Sequence, residues 1–416
     1  MLPDVDVVVV GAGISGLVAA RDLVDAGLTV RVVEARGRLG GRIDTDLAVP
    51  IAPVERGAEF IHGNRVRIWH HVERFKLRAT PCLSTRALRF TDGDRLRSAA
   101  WLFTRPATLR LGLAVAALLR QQGRDQSLAD FLASRGITEG LGRRLAAYMV
   151  NASCAPFEDL GVVDAVAGLT SAQGRGGQFR LAGGYASLVQ SLASGLDFRC
   201  NEPVTAIRWS DGGVELETGQ IVRARMAVLT LPLGVEQSGA VRFEPALDQR
   251  RLAADALRMH SAVKILFRFR VAVGNPRVTA IAGDEDVPVF WRAAEPAPVW
   301  TAFVTGPRAP DLALAPERAA DRLFAFLGPE AKRELVSIDV ADWGRDPWSR
   351  GGYSAAPAGA FPARAVLAQR VGPLVFAGEA TASDGEAGTV SGALATGERA
   401  ASEVRALIGE PASVTI

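Results

Sequence analysis

The stretch VDVVVVGAGISGLVAARDLVDAGLTVRVVEARGRLGGR runs from Val5 to Arg42 and decides the fold. It begins with an apolar, β-branched run that lacks polar alternation and ends at a glycine, which is typical of a parallel strand buried on both faces. Residues 14–26 have helical character, and residues 29–33 form a second β-branched run. The stretch therefore predicts a strand–helix–strand unit, the start of an α/β domain with a parallel sheet.

Three glycines lie between the first strand and the helix with the spacing G-x-G-x-x-G: Gly11, Gly13 and Gly16. The first permits a tight turn, the second lets the backbone approach a pyrophosphate, and the third lets the helix and the strand pack closely. Glu34 ends the second strand, where a carboxylate accepts hydrogen bonds from ribose hydroxyls and repels a 2′-phosphate. Because a helix N-terminus also favours phosphate, the region predicts a dinucleotide site.

The segment ARGRLGGR, which closes the opening stretch, narrows the choice of nucleotide. Gly40 and Gly41 provide flexible backbone, and Arg36 and Arg42 bring guanidinium groups beside the same pyrophosphate. A guanidinium group pairs well with phosphate oxygens. These residues favour FAD over NAD, and we expect the neighbouring Ala35 to lie at the cofactor as well.

The balance of charges argues against a nucleic-acid partner. The 416 residues include 48 basic and 45 acidic ones, which leaves a net charge of only +3. No block of lysine or arginine dominates the sequence, as it would in a nucleic-acid-binding surface. A chain of this length exceeds what one hydrophobic core usually holds, so we expect two or more domains.

Cysteine usage and the apolar segments favour a cytoplasmic protein. Cys82, Cys154 and Cys200 are widely separated and lack C-x-x-C spacing, so neither a disulfide framework nor a metal site is predicted. The first strand begins too near the N-terminus for a secretory signal, and the most apolar helical stretch, residues 109–119, is too short to span a membrane. We expect no membrane partner, and either a monomer or a homodimer.

The pattern of strands and helices changes along the chain. Helical periodicity dominates residues 107–169, and strand-like runs return from residue 204. A last buried strand, PLVFAGEA, is followed by a helix that begins near Thr389. We predict an FAD-binding domain made of residues 1–75, 181–258 and 365–416, and a substrate domain made of residues 76–180, with a helical insertion, and residues 259–364. A ligand cleft between the two is expected.

Eight segments follow one another in a characteristic order: VVVVGAGISGL, GGRIDT, ERGAEFIHG, LAGGYASLVQSLA, VLTLPLGV, SAVKILFRF, GGYSAAPAG and FAGEATASDGEAGTVSGALATGERAA. Together they cover nearly the whole chain and resemble the flavin-containing amine oxidase family, which includes monoamine oxidases, polyamine oxidases and histone lysine demethylases. ERGAEFIHG and TVSGALATGERAA are closer to the polyamine oxidase branch. The resemblance implies an α/β fold: an FAD-binding Rossmann-like domain of the GR2 type with an inserted α+β substrate domain.

The resemblance also implies which further residues hold FAD: Gly57, Ala58, Glu59, Val204, Gly378, Glu379, Thr389 and Val390. Glu379 is placed for the ribityl or pyrophosphate region. The helix that begins near Thr389 can direct N–H groups at the pyrimidine end of the flavin. Gly352 stands where monoamine oxidases carry the cysteine bonded to flavin, so we expect non-covalent FAD.

Three residues are implied in catalysis by the same resemblance. Lys264 lies in the apolar run AVKILF and matches the family lysine that holds a water against flavin N5; an outward-facing lysine is the alternative. Tyr353 matches an aromatic wall that attracts the amine, while Thr389 replaces the second tyrosine of monoamine oxidases. His62 matches a histidine near the substrate nitrogen that is suited to proton exchange, although a structural histidine is also possible.

The implied reaction is the oxidative deamination of a small-molecule amine. Hydride passes from the carbon next to nitrogen to the flavin, the imine hydrolyses, and oxygen restores the cofactor and gives hydrogen peroxide. An L-amino-acid oxidase of the same fold is a second hypothesis, which requires a cation to hold the carboxylate. A flavoprotein that desaturates or binds an apolar polycyclic or isoprenoid substrate is a third.

Overall fold

The computed structural model describes residues 3–48, 53–82, 86–120, 125–171, 176–284, 286–293, 298–382 and 385–409. These residues form a mixed α/β structure in which helices cover a largely parallel sheet, as predicted. A second, mostly antiparallel sheet meets the first through loops that surround a cavity.

The stretch that decides the fold lies at the centre of the first sheet. In spatial order its strands are β10 (Asp197–Arg199), β2 (Val30–Val33), β1 (Val5–Val10), β13 (Ile221–Leu229), β12 (Gly213–Glu217), β11 (Ala206–Ser210) and β14 (Arg242–Glu244), and β22 (Leu374–Phe376) also pairs with β13. β1 runs parallel to both β2 and β13. Val7 and Val9 pack in one core while Val8 and Val10 pack in another, so both faces of β1 are buried.

Four helices build the core on one face of this sheet: α1 (Ile14–Asp25), α2 (Ile68–Arg74), α8 (Gly184–Ala193) and α15 (Val390–Ile408). Gly16 allows α1 to approach β1, because a Cβ at this position would lie 2.0 Å from the carbonyl oxygen of Gly11. Gly397 allows α15 to approach α1 in the same way, 2.3 Å from the carbonyl oxygen of Ser15. These close contacts hold the N-terminus of α1 at the carboxyl end of β1.

The second sheet positions Lys264. In spatial order its strands are β20 (Leu335–Asp342), β16 (Ala262–Phe269), β19 (Val299–Thr305), β18 (Val289–Arg292), β17 (Ala280–Ala282), β7 (Leu88–Asp92) and β8 (Arg95–Ser98). Helices α11 (Ala309–Leu314), α12 (Pro316–Leu327) and α13 (Pro329–Glu334) pack against it. Because β16 is paired on both edges, Lys264 has little freedom to move.

The predicted helical insertion follows β8. It comprises α3 (Ala99–Leu102), α4 (Pro106–Leu119), α5 (Leu128–Ser134), α6 (Gly140–Val150) and α7 (Val162–Thr170). The remaining elements are β3 (Thr45–Asp46), β4 (Val54–Glu55), β5 (Ile61–His62), β6 (Ala79–Cys82), β9 (Gln178–Leu181), α9 (Leu233–Ser238), α10 (Asp248–Ala256), β15 (Arg258–Met259), β21 (Ser354–Ala355) and α14 (Ala363–Ala368). No helix in the described ranges has both the length and the apolar character needed to cross a bilayer.

The two sheets draw on different parts of the chain. The first takes strands from each of the three segments predicted for the FAD domain, and the described strands of the second come from the two segments predicted for the substrate domain. A small sheet, β5-β9-β6, joins strands from both. The predicted domain boundaries themselves stay a proposal.

Candidate active site

A cavity lies where the carboxyl ends of β1 and β2 meet β16 of the second sheet. It encloses about 1290 Å³, a volume that includes its open mouth. Most residues predicted to hold FAD lie on its wall: Gly11, Gly13, Glu34, Ala35, Arg36, Gly40, Gly41, Arg42, Gly57, Ala58, Val204, Gly378, Glu379, Thr389 and Val390. Lys264 and Tyr353 line it too, whereas Gly16, Glu59 and His62 lie off this wall.

The start of α1 has room for a phosphate group. A Cβ on Gly13 would meet no described atom within 4 Å, because Gly13 borders the open cavity. Within the described part of the chain, no side chain caps this helix N-terminus. Ile14 and Ser15 begin the helix and line the cavity, so their N–H groups belong to the unpaired donors of the first turn and can bind an anion.

Glu34 is held in the position predicted for the ribose contact. Its carboxylate accepts the N–H of Ala12 at 2.8 Å and the N–H of Arg36 at 2.8 Å, one on each oxygen. The Arg36 guanidinium group donates to Asp346 at 2.5 Å and to Ser349 at 2.8 Å. A carboxylate has about four acceptor sites, so Glu34 can still accept hydrogen bonds from hydroxyl groups.

Glu379 links Arg42 to β21 and to the loop before α15. Its carboxylate accepts hydrogen bonds from Arg42 at 3.0 Å, from the Ser354 hydroxyl at 2.7 Å and from the N–H of Gly388 at 2.9 Å. Burial raises the pKa of Glu379, but the charge of Arg42 and the hydrogen bond from Ser354 outweigh burial, and the net shift is downward. Glu379 is therefore ionised and neutralises Arg42 on the cavity wall.

These features together fit FAD. The uncapped helix N-terminus suits the pyrophosphate, and Glu34 suits the ribose. The N-terminus of α15 lines the cavity through Thr389 and Val390, and the Thr389 hydroxyl caps that helix by accepting the N–H of Gly392. A positive helix end at this position can stabilise negative charge on a flavin ring.

Lys264 lies on the part of the cavity wall that β16 provides. It is only 4% exposed. Its ammonium group donates to Oε2 of Glu59 at 2.7 Å and to the backbone oxygen of Glu55 at 3.0 Å. The alternative that Lys264 faces outward from the strand is therefore wrong. Because an ammonium group has three donors, one is left for a ligand of the cavity.

Glu59 accepts a hydrogen bond from Lys264 and is not among the described residues that line the cavity; its contact with FAD stays a prediction. Its carboxylate also accepts Nε of Arg180 at 2.9 Å and Nε1 of Trp291 at 3.0 Å. At 6% exposure, it is a buried anion shared by two cations. Strands β16, β18 and β9 bring these donors together, so Glu59 is an anchor to which Lys264, Arg180 and Trp291 all donate.

Aromatic side chains line the cavity beside Lys264. The rings of Tyr353 and Phe303 have centroids 6.4 Å apart, and Phe303 is the cross-strand partner of Lys264 in the β16–β19 register. Burial raises the pKa of the Tyr353 phenol, which therefore stays neutral. Phe303 and Trp343, which also lines the cavity, were missed in the sequence. Both are distant from Lys264 in the sequence. Phe303 reaches it through the pairing of β16 with β19, and Trp343 lies just after the end of β20, which also pairs with β16.

His62 is one layer away from the cavity wall. It lies on β5, where its ring contacts the ring of Phe60 edge-on at 6.0 Å. Phe60 in turn contacts Trp291, which donates to Glu59. Burial lowers the pKa of His62, although a hydrogen bond with Gln178 opposes the shift. The imidazole is therefore neutral near pH 7 and able to accept a proton; its role in catalysis stays a prediction.

Glu55 gives a pH dependence of stability that can be tested. Burial raises its pKa from 4.5 to about 7, even though hydrogen bonds from Tyr185 and Thr45 oppose the shift. Because the folded pKa exceeds the unfolded one, this contribution to stability is fully present below about pH 4.5 and is lost as the pH rises through 7. We expect the free energy of unfolding of the wild type to fall by about 2–3 kcal/mol between pH 4.5 and 7. Glu55→Gln should not show this decrease, and urea unfolding at several pH values measures it. Equal pH profiles for the variant and the wild type would contradict this prediction.

An FAD-dependent oxidoreductase is the class of protein that fits these features: a parallel sheet, a helix N-terminus that can bind phosphate, and a buried lysine at the cavity. The family described as flavin containing amine oxidoreductase matches residues 14–405. The chain belongs to this family. Its chemistry is the FAD-dependent oxidation of a CH–NH or CH–NH2 group, which agrees with the activity and the cofactor predicted from the sequence.

Several characterised proteins are similar along almost the whole chain. Polyamine oxidase 2 of Arabidopsis thaliana is 28% identical, and Polyamine oxidase 4 of Oryza sativa subsp. japonica is 30% identical; each match covers 96% of this chain and 88% of the relative. The structure of cyclohexylamine oxidase from Brevibacterium oxydans IH-35A matches with a TM-score of 0.81 at 24% identity, covering 98% of this chain and 100% of the other. The likeness confirms the predicted fold.

Proposed function

We propose that the protein oxidises a polyamine or a related small amine, with oxygen as the electron acceptor and hydrogen peroxide as a product. The observation that carries the proposal is the buried Lys264 ammonium group, which has a donor left for the cavity and aromatic neighbours. The polyamine oxidases among its relatives support the substrate class. FAD, when bound, supplies the acceptor for the hydride that leaves the carbon next to the amine nitrogen.

Different residues of the cavity would bind different parts of FAD and the substrate amine. The start of α1 and Arg36 would hold the pyrophosphate, Glu34 the ribose, and the start of α15 the flavin end of FAD. Tyr353 and Phe303 provide apolar and aromatic surface that attracts a cationic amine and excludes water from it. His62 is neutral near pH 7 but does not line the described cavity wall, so its proposed proton exchange with a substrate would have to pass through an intervening group.

The charges of the cavity disfavour an amino-acid substrate. A carboxylate substrate needs a cation that is not already neutralised. Among the described residues that line the cavity, the cationic side chains are Arg36, Arg42 and Lys264. They are paired with Asp346, Glu379 and Glu59, respectively. The L-amino-acid oxidase hypothesis is therefore the weaker one.

A substrate panel tests the proposal directly. The purified protein is mixed in air with polyamines, arylalkylamines and L-amino acids while flavin absorbance and peroxide are recorded. We expect bleaching and peroxide with polyamines or other simple amines and neither with amino acids. Activity on amino acids alone would overturn the proposed substrate class, and bleaching by an amine without peroxide would overturn oxygen as the acceptor.

The mode of FAD attachment gives a further prediction. A Cβ at Gly352 would lie 2.4 Å from Cβ of Ala262 and 2.8 Å from Sγ of Cys154, so this position has no room for a cysteine that bonds to flavin. We therefore propose non-covalent FAD and expect acid precipitation to release it into the supernatant, where its absorbance and mass identify it. Flavin that stays with the precipitated protein would show covalent attachment instead.

We also propose a cytoplasmic location, with the protein a monomer or homodimer that binds no nucleic acid. The three cysteines are free thiols, as suits a reducing compartment. The near balance of basic and acidic residues gives no support to a nucleic-acid partner.

A further inference from the structure

Helix α4 carries leucines on two opposite sides, but only one of these sides is buried. Leu111, Ala114 and Leu118 are 6%, 2% and 4% exposed and belong to the core of the helical insertion. On the opposite side, Leu109 and Leu113 are 68% and 64% exposed. These two leucines are four residues apart and therefore neighbours on the helix surface. Apolar residues on opposite sides are typical of an enclosed helix, whereas the exposed side here lacks a partner within the described chain.

Two more exposed apolar side chains lie near the two ends of this segment. Phe103, just before α4, is 87% exposed, and Leu119 at the end of α4 is 47% exposed. We refer to Phe103, Leu109, Leu113 and Leu119 as the α4 outer face. Clustered apolar side chains at a protein surface mark interaction sites more often than single ones do.

The segment that carries the α4 outer face is basic, unlike the chain as a whole. Residues 95–120 contain no acidic residue and five arginines; Arg95 and Arg97 lie on β8, where Arg97 is paired with Asp92, which leaves Arg105, Arg110 and Arg120 as the cations of α4 and its ends. Arg105 and Arg120 are the residues at the two ends of α4, and Arg110 is exposed within it. An apolar helix face bordered by arginines is complementary to a surface that combines negative charge with an apolar interior.

We propose that the α4 outer face binds peripherally to the anionic headgroups of a lipid membrane. With α4 parallel to the bilayer, the leucines and Phe103 would enter the headgroup region while the arginines pair with lipid phosphates and carboxylates. A dimer formed through the same face is disfavoured, because two-fold symmetry would set one arginine-rich segment against its copy. The expectation of no membrane partner rested on the length needed to span a bilayer, which surface binding does not require.

Vesicle co-sedimentation of the full-length, FAD-loaded protein tests this proposal. The probes are phosphatidylcholine vesicles with and without phosphatidylserine. We expect binding to the vesicles that contain phosphatidylserine, and weaker binding as salt is raised. The double variant Leu109→Asp/Leu113→Asp should abolish binding, and Arg110→Glu/Arg120→Glu should lower it by at least about tenfold, since both substitutions replace a cation that attracts anionic headgroups with an anion. Leu252→Asp, at a residue of α10 that is 72% exposed, is the matched control and should bind like the wild type.

Amine oxidation by each variant reports whether it is folded, since the α4 outer face contributes no residue to the described cavity wall. If the leucine variant fails to fold, the arginine variant decides the question alone, because its substitutions lie at exposed positions. Wild-type protein that does not bind phosphatidylserine vesicles would overturn the proposal, as would equal binding by wild-type and arginine-variant proteins. A dimer in light scattering that the leucine variant dissociates, without any vesicle binding, would assign the face to self-association.

Discussion

Replacing Lys264 with methionine is expected to slow amine oxidation by at least about tenfold, equivalent to roughly 1.4 kcal/mol in the barrier. Methionine keeps the apolar stem of the side chain but removes the ammonium donors. The structure leaves one of those donors for the cavity, since the other two are used by Glu59 and the backbone of Glu55. FAD should stay bound, because the glycine loop, Glu34 and two helix N-termini on the described cavity wall would provide most of its polar contacts.

Stopped-flow absorbance separates the possible origins of the loss. Bleaching of the flavin by substrate without air measures amine oxidation, and the return of absorbance on mixing with oxygen measures reoxidation. Lys332→Met is the matched control, since Lys332 is exposed on α13 and should leave both rates unchanged. Wild-type rates for both steps in Lys264→Met would mean that the ammonium group takes no part in the reaction.

The FAD half of the site could be predicted from the sequence because its signals are local. The glycine spacing, the two strands and Glu34 lie within one continuous stretch, and the observed β1 and α1 begin at the predicted residues. The second strand begins at Val30 and not at Thr29, since the backbone and hydroxyl of Thr29 are bound to the side chain of Asp6. Such side-chain contacts change a boundary without changing the element.

The surroundings of Lys264 could not be predicted, because they are brought together by strand pairing. Glu59, Arg180 and Trp291 come from three distant segments and meet only when β9, β16 and β18 are assembled. Glu59 adjoins Gly57 and Ala58, which do line the cavity, so its sequence position suggested contact with FAD. The direction of a single side chain in a loop is not encoded by local spacing, and here it points the carboxylate to the lysine.

Replacing Glu59 with glutamine is expected to destabilise the protein far more than replacing Lys264 with methionine. The glutamine would leave Lys264 and Arg180 as two buried cations without their shared anion, a change that costs about 3–5 kcal/mol when one partner of a buried pair is removed. After Lys264→Met, by contrast, Glu59 keeps its hydrogen bonds from Arg180 and Trp291. The measurement is the thermal midpoint at saturating FAD, so that differences in cofactor affinity do not enter the comparison.

The double variant Glu59→Gln/Lys264→Met separates charge pairing from simple loss of packing. Glu59→Gln leaves two cations without a partner, and adding Lys264→Met removes one of them. This removal is favourable if Lys264 and Glu59 stabilise each other through their charges. The double variant should then be more stable than the sum of the two single losses predicts, by an interaction energy of about 0.5–3 kcal/mol. Strictly additive effects would show that the two side chains are independent. In that case Glu59 would stabilise the protein through its ion pair with Arg180. The 2.7 Å contact with Lys264 would then not be what holds the ammonium group at the cavity.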